Sequence, residues 1–185
     1  MLGGSQGAQA LNEVLPKALR ELATPDRPQV WHQTGERTQQ ETSDAYRMAR
    51  IEARVEPFIE DMAAAYAWAD LVVCRAGALT IAELTAAGLG AVLVPFPHAV
   101  DDHQTVNARF MSEAGAAVLL PQTELSAPKL VALLTRLQND RGRLRAMAEA
   151  ARRLATPGAT EQVTRICLEL AGLPVAGGTD RGALS

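Results

Sequence analysis

The chain has 185 residues, of which 48% are hydrophobic, 21% charged and 4% aromatic, and its formal net charge is −3. That length carries one well-buried domain. An apolar share built on Ala, Leu and Val favours helices packed on a sheet over an all-β sandwich. The sequence shows neither a polybasic stripe nor an aromatic–basic alternation, so no nucleic-acid partner is expected, and no basic patch calls for a membrane.

The chain opens on Met1-Leu2 and runs at once into "GGSQGAQALNEVL", a glycine turn entering an amphipathic helix expected over 7–22. Such a turn normally receives a strand of about five residues. Most of a leading strand is therefore expected to be missing, as in a piece of a longer protein. The start has no basic or apolar lead of the kind a signal peptide carries. Short apolar runs then alternate with amphipathic segments. Strands are expected at 29–32, 53–56, 71–74, 91–94 and 117–120, and further helices at 38–49, 62–68, 80–87, 103–113, 127–138, 141–154 and 160–170. Strands and helices alternating over this length predict a parallel, doubly wound α/β sheet with right-handed crossovers.

Punctuation supports these bounds. Asp61 and Ser126 stand where N-caps belong, Pro128 near a first turn, and Gly88 at a C-cap. The longest stretch free of charged side chains, from Leu84 to Val100, is broken by two Gly and two Pro and does not span a membrane. Cys74 and Cys167 lack partner ligands at metal spacing and are expected to be reduced, buried thiols of a cytosolic protein. Residues 1–172 are expected to form one domain, and the Gly- and Ala-rich 173–185 a flexible tail.

Four stretches carry candidate chemistry. In Gly3-Gly4-Ser5-Gln6-Gly7-Ala8, glycines admit a ligand to the backbone and the helix start offers unpaired N–H groups to a phosphate. It matches neither Gly-x-Gly-x-x-Gly nor a P-loop, and a plain tight turn would read the same. Asn12 follows in that helix, facing either the cleft or solvent. The second, "RAGALTIAEL", puts Thr80 and Glu83 at a helix start after a strand. Thr-x-x-Glu is a capping box. The same helix start, near the point where strand order reverses, is also where a diphosphate would bind, with Glu83 accepting bonds from ribose hydroxyls.

The third, "PFPHAVDDHQTVNA", gathers His98, Asp101, Asp102, His103, Gln104 and Asn107. Gln104 and Asn107, at i and i+3, share a helix face, and amides suit sugar hydroxyls. A metal site, an Asp–His dyad and an ordinary polar loop are the alternatives; the ligand spacing does not match a known metal motif. The fourth, "VEPFIEDMAAAYAWAD", ends a strand at the same edge, where backbone groups could read a planar base. Core packing of Ala64 and Trp68 would explain the run as well. Together the loops suit a sugar nucleotide better than a dinucleotide. No Asp-x-Asp triplet favours a metal-bridged diphosphate, and no metal or other cofactor is expected.

The segments "GGSQGAQALN", "WHQTG", "FIEDMAAAYAWADLVVCRAGALTIAEL" and "VPFPHAVDDHQTVNA" closely resemble the C-terminal half of the bacterial peptidoglycan glycosyltransferase family commonly called MurG. The resemblance runs from Gly3 to about Leu170. It implies the C-terminal Rossmann-like domain of a GT-B glycosyltransferase that transfers N-acetylglucosamine from UDP-N-acetylglucosamine to lipid I, forming lipid II in an inverting reaction. It further implies a peripheral enzyme on the cytoplasmic face of the bacterial inner membrane. By the same resemblance Ser5 and Gln6 lie beside the diphosphate and the Ile59 backbone reads uracil. Ala78, Leu79 and Thr80 line the phosphate end of their helix, and Glu83 holds the ribose. His103, Gln104 and Asn107 meet the sugar hydroxyls. Arg75 and Asn12 match motif positions without a firm individual role, and Trp31, His32 and Gln33 are read as strand and packing residues.

The family's N-terminal domain, which is expected to bring the acceptor site, the membrane-facing patch and the general base, is not in this sequence. The chain is therefore expected to supply the leaving-group half of the mechanism and not to turn over alone. Two rival readings are a non-catalytic donor-binding subunit of a split glycosyltransferase and an enzyme like the UDP-N-acetylglucosamine 2-epimerases. The second would require catalytic carboxylates and a His in motifs this sequence lacks.

Overall fold

The computed structural model of the chain describes residues 8–23, 27–97 and 102–173. It divides into two compact units, Met1–Ala155 and Thr156–Ser185.

In the first unit the elements alternate as the sequence predicts: α1 (Gln9–Glu21), β1 (Val30–Gln33), α2 (Gln39–Met48), β2 (Ala53–Glu56), α3 (Met62–Trp68), β3 (Val72–Cys74), α4 (Ala78–Ala87), β4 (Ala91–Leu93), α5 (His103–Glu113), β5 (Ala117–Leu119), α6 (Ala127–Gln138) and α7 (Arg141–Leu154). The pairings among the described strands are all parallel. β1 pairs with β2, with Val30 opposite Ala53, and the other three strands run in the order β3-β4-β5, with Val72 opposite Ala91 and Ala91 opposite Ala117.

The β3-β4-β5 sheet is buried on both faces, which is why its strands read as unbroken apolar runs. Alternate residues sort to opposite sides. Val72, Cys74, Ala91 and Leu93 pack with Leu84 of α4, Met111 of α5 and Ala151 of α7. Val73 and Val92 pack with Leu11 of α1, Leu137 of α6 and Met147 of α7. A third cluster joins Leu15 and Leu19 of α1 to Tyr46 of α2 and Leu130 of α6. Helices thus cover both faces, as a doubly wound sheet requires.

Among the described strands β1 pairs with β2 and β3 with β4, and both β1 and β3 border one crevice. A groove of about 430 Å³ lies there, lined by Val30 and Trp31 of β1, Val73 of β3, Leu15 and Leu19 of α1, and Leu134 of α6.

Local chemistry accounts for the bounds. The Asp61 carboxylate accepts the Ala64 N–H at 2.8 Å and caps α3, while Gly88 ends α4 in the left-handed region at φ 69°, a conformation that favours glycine. Ser126 is the N-cap residue of α6, yet its side chain makes no capping bond. Of the apolar run ahead of β3, Ala65 and Tyr66 are the residues that face inward; Ala64 is exposed and Trp68 is 47% exposed, so the expected core packing of those two does not occur.

In the second unit α8 (Ala159–Leu170) buries none of its residues. Cys74 is buried as expected, and Cys167 is exposed because α8 offers no inward face to hide it. No helix among the described residues is long and apolar enough to cross a membrane.

Candidate functional site

The carboxyl ends of β3 and β4 open into loops that build one rim. After Cys74 the chain passes through Arg75 and Ala76 to Gly77, which is extended at φ −65° and ψ 148°, and α4 begins at Ala78. The Ile81 N–H reaches the Gly77 carbonyl at 3.0 Å. The N–H groups of Ala78, Leu79 and Thr80 lie ahead of that first bond, and no side chain caps them. A Cβ on Gly77 would meet only Thr80 Oγ1, at 3.8 Å. The fold itself therefore does not demand glycine here, whereas a ligand approaching the backbone would.

This corrects the capping-box expectation. The helix starts two residues earlier than predicted, because Ala78 enters it without cost, so Thr80 is its third residue rather than its cap. Glu83 does not reach back to the helix start. Its Oε2 accepts a 2.8 Å hydrogen bond from the Tyr66 hydroxyl of α3. Glu83 is exposed. Burial, together with the Glu83 bond, raises the Tyr66 pKa far above the phenol range. Beneath them burial pushes the Cys74 thiol up to about 12, and the Glu83 charge adds to this. Tyr66 escaped the sequence reading; its one signal is a hydroxyl set among the alanines of "MAAAYAWA".

The amide pair of α5 faces this rim. Gln104 Oε1 accepts from the Ala76 N–H at 3.3 Å and the Phe96 N–H at 3.0 Å, and Asn107 Nδ2 donates to the Ala76 carbonyl at 3.0 Å. The expectation that both sit on one face holds, but part of their hydrogen-bonding capacity braces the two loops to each other. Among the described residues Gln104 Nε2 and Asn107 Oδ1 are left over. His103, the first residue of α5, is exposed.

Arg75 braces the loops from behind. It donates to the Val94 and Pro95 carbonyls at 3.1 and 3.2 Å and to Gln122 Oε1 at 2.6 Å, and its guanidinium sits 5.3 Å from the Phe96 ring centroid. Burial lowers its pKa, yet an arginine remains charged at neutral pH.

The ends of β1 and β2 hold the other candidates. The Ile59 N–H donates to Gln33 Oε1 at 3.3 Å, and the Ile59 side chain is buried. Asn12 faces neither cleft nor solvent: it is 3% exposed, and its amide is taken up by His32, Thr34 and Thr38. Ser5, Gln6, His98 and Asp101 lie outside the described residues. The structure thus brings Arg75, Ala78, Leu79, Thr80, Glu83, Gln104 and Asn107 together on or behind one rim, and sets Asn12 apart in the interior.

A parallel sheet covered by helices on both faces, with an uncapped helix start at its strand ends, defines a Rossmann-like domain. The chain belongs to the Glycosyltransferase family 28 C-terminal domain family, whose model matches residues 1–163. It is 59% identical over 171 residues to the UDP-N-acetylglucosamine--N-acetylmuramyl-(pentapeptide) pyrophosphoryl-undecaprenol N-acetylglucosamine transferase of Nitrosococcus oceani, covering 92% of this chain and 48% of that protein. It is 57% identical to the Pseudomonas fluorescens transferase of the same name, with the same shares covered. The crystal structure of Acinetobacter baumannii MurG superposes with a TM-score of 0.83 at 46% identity, over 91% of this chain and 49% of that one. The chain therefore spans about half the length of the curated relatives it matches, and the expected MurG-like C-terminal fold is borne out.

Proposed function

We propose that the chain is the donor-binding half of an inverting glycosyltransferase that moves N-acetylglucosamine from UDP-N-acetylglucosamine to lipid I, giving lipid II and UDP. The observation that carries this reading is the meeting, on one rim, of the uncapped α4 start, the exposed Glu83 carboxylate and the spare amide groups of Gln104 and Asn107. The names of its relatives supply the donor and acceptor.

On this reading the Ala78–Thr80 N–H groups and the α4 dipole hold the diphosphate, helped by Ser5 and Gln6 of the glycine turn. Glu83 accepts from the ribose hydroxyls, the Ile59 N–H turns from Gln33 to the uracil, and His103, Gln104 and Asn107 face the aminosugar. In the reaction the acceptor C4 hydroxyl attacks the anomeric carbon, the bond to the diphosphate oxygen breaks, and the hydroxyl proton passes to a base outside this chain. UDP leaves with its bonding electrons. Donors already aimed at the diphosphate stabilise that charge without reorganising. A net dipole effect of about 0.3–2 kcal/mol is the scale for one helix start. The acceptor, the base and the contact with the cytoplasmic face of the inner membrane belong to a companion N-terminal domain.

Titration calorimetry of the chain with UDP and with UDP-N-acetylglucosamine, repeated on Glu83→Ala, tests this. We expect both ligands to bind and the variant to lose about tenfold or more for each. Equal affinities in the two proteins would remove Glu83, and with it the rim, from the site.

A further inference from the structure

Glu83 lies on the second turn of α4, exposed, with a side chain of three free torsions. Left to itself it would sample many rotamers, and each binding event would have to order it. A single contact prevents this. Tyr66 Oη, from the neighbouring helix α3, donates to Glu83 Oε2 at 2.8 Å. Tyr66 itself has no freedom to follow a wandering carboxylate. Its side chain is 9% exposed and packs in the core cluster with Val72, Cys74, Ile81 and Leu84. Helix α3 is in turn fixed at its start by the Asp61 cap, two residues after Ile59.

We infer that Tyr66 is a positioning residue for the ribose: its hydroxyl pins one oxygen of the Glu83 carboxylate so that the group meets the nucleotide's 2′ and 3′ hydroxyls already oriented. The inference rests on the proposed role of Glu83. It adds that ribose recognition is built jointly by α3 and α4. The hydroxyl that does the pinning touches no ligand, and α3 ties the loop carrying Ile59 to the carboxylate on α4. Burial suits the phenol to this task, since a hydroxyl that stays protonated donates at every physiological pH.

The consequence is selectivity between ribose and deoxyribose. A carboxylate held in place rewards a 2′-hydroxyl fully, whereas a mobile one gives back part of that gain as lost rotamer freedom. The test is a set of six dissociation constants, for UDP and 2′-deoxy-UDP binding to the wild-type chain, Tyr66→Phe and Glu83→Ala. Melting curves confirm that the variants fold, and Tyr66→Phe keeps the packed ring.

We expect the wild type to prefer UDP about tenfold, one charge-assisted hydrogen bond's worth. Glu83→Ala should abolish the preference, and Tyr66→Phe should cut it to about threefold or less, weakening UDP more than 2′-deoxy-UDP, which keeps only its 3′-hydroxyl for the carboxylate. A role confined to packing would weaken both ligands equally and keep the ratio, which overturns the inference. If Glu83→Ala loses the preference and Tyr66→Phe retains it, the inference fails and the ribose role of Glu83 stands. If Glu83→Ala itself changes nothing, the reading beneath the inference fails instead.

Discussion

Asn12 Oδ1 lies 3.0 Å from His32 Nε2, joining α1 to β1 inside the protein. The neighbours settle the tautomer. Asn12 Nδ2 donates to the Thr34 carbonyl and Thr38 Oγ1 at 3.0 and 2.8 Å, so Oδ1 is the accepting end and His32 Nε2 carries the proton. His32 Nδ1 then accepts from the Tyr46 hydroxyl at 2.9 Å. Four side chains, from α1, β1, α2 and the turn just before α2, and the Thr34 carbonyl are satisfied by one arrangement, which fixes how α1 and α2 sit on β1.

Asn12→Ala is therefore expected to be a stability variant. It strands the His32 N–H and leaves the Thr34 carbonyl with Thr38 Oγ1 as its side-chain donor, at a cost of about 1–3 kcal/mol, or about 2–12 °C in Tm for a chain of this size. Urea denaturation measures the first and calorimetric melting the second. UDP affinity of the folded variant should change by less than about twofold, since Asn12 is away from the rim. A tenfold loss would place it at the ligand after all.

The same network predicts acid sensitivity. Burial lowers the His32 pKa from 6.5 to about 3, so the folded state prefers the neutral ring. Above pH 6.5 this contribution is complete. As pH falls from 6.5 towards 3 the unfolded chain takes up a proton that the folded chain refuses, and stability drops by about 1.4 kcal/mol per pH unit. In His32→Gln the slope over this window should be shallower by about that amount. Urea midpoints at pH 7, 6, 5 and 4 check it; parallel profiles in the two proteins would refute it.

Gln104 serves two ends, and they can be separated. Gln104→Glu keeps an acceptor for the Ala76 and Phe96 N–H groups, but it loses the Nε2 donor and adds a negative charge. Its Tm should stay within a few degrees of wild type while UDP-N-acetylglucosamine affinity falls about tenfold and UDP affinity less. Gln104→Ala removes the brace too, and should also lower Tm and UDP affinity. Should the two variants behave alike in melting, the brace is not what holds the loops.

Gly90 marks a close approach between β4 and α7. A Cβ there would lie 2.9 Å from Met147 Cβ, so Gly90→Ala should cost about 1–3 kcal/mol. Pairing it with Met147→Gly, which removes that Cβ, should show coupling, the double variant losing less than the two single losses summed, as a double-mutant cycle in denaturant will report.

Most of the architecture was legible in the sequence because period and punctuation carried it. Met62–Trp68, His103–Glu113, Ala127–Gln138 and Arg141–Leu154 occur with the bounds their apolar spacing and caps predict, and the runs at β3, β4 and β5 read as buried parallel strands. Side-chain partnership was not legible. Thr80 and Glu83 have the spacing of a capping box, yet Glu83 is claimed by Tyr66, 17 residues earlier. Nor does any local pattern reveal that Gln33 meets the Ile59 N–H or that Arg75 bonds Gln122, 47 residues on. Such contacts depend on which helix neighbours which, a property of the packed sheet. The motif positions themselves came from family resemblance, since amides and a carboxylate near strand ends are common in folds of this kind.

The groove bordered by β1 and β3 has a spectroscopic consequence. The chain contains two tryptophans; Trp31 and Trp68 both line that groove, edge to face with ring centroids 5.9 Å apart. Its indole fluorescence therefore originates from a single place. Emission will report wetting, filling or splaying of that crevice, and will be nearly blind to what happens around Glu83.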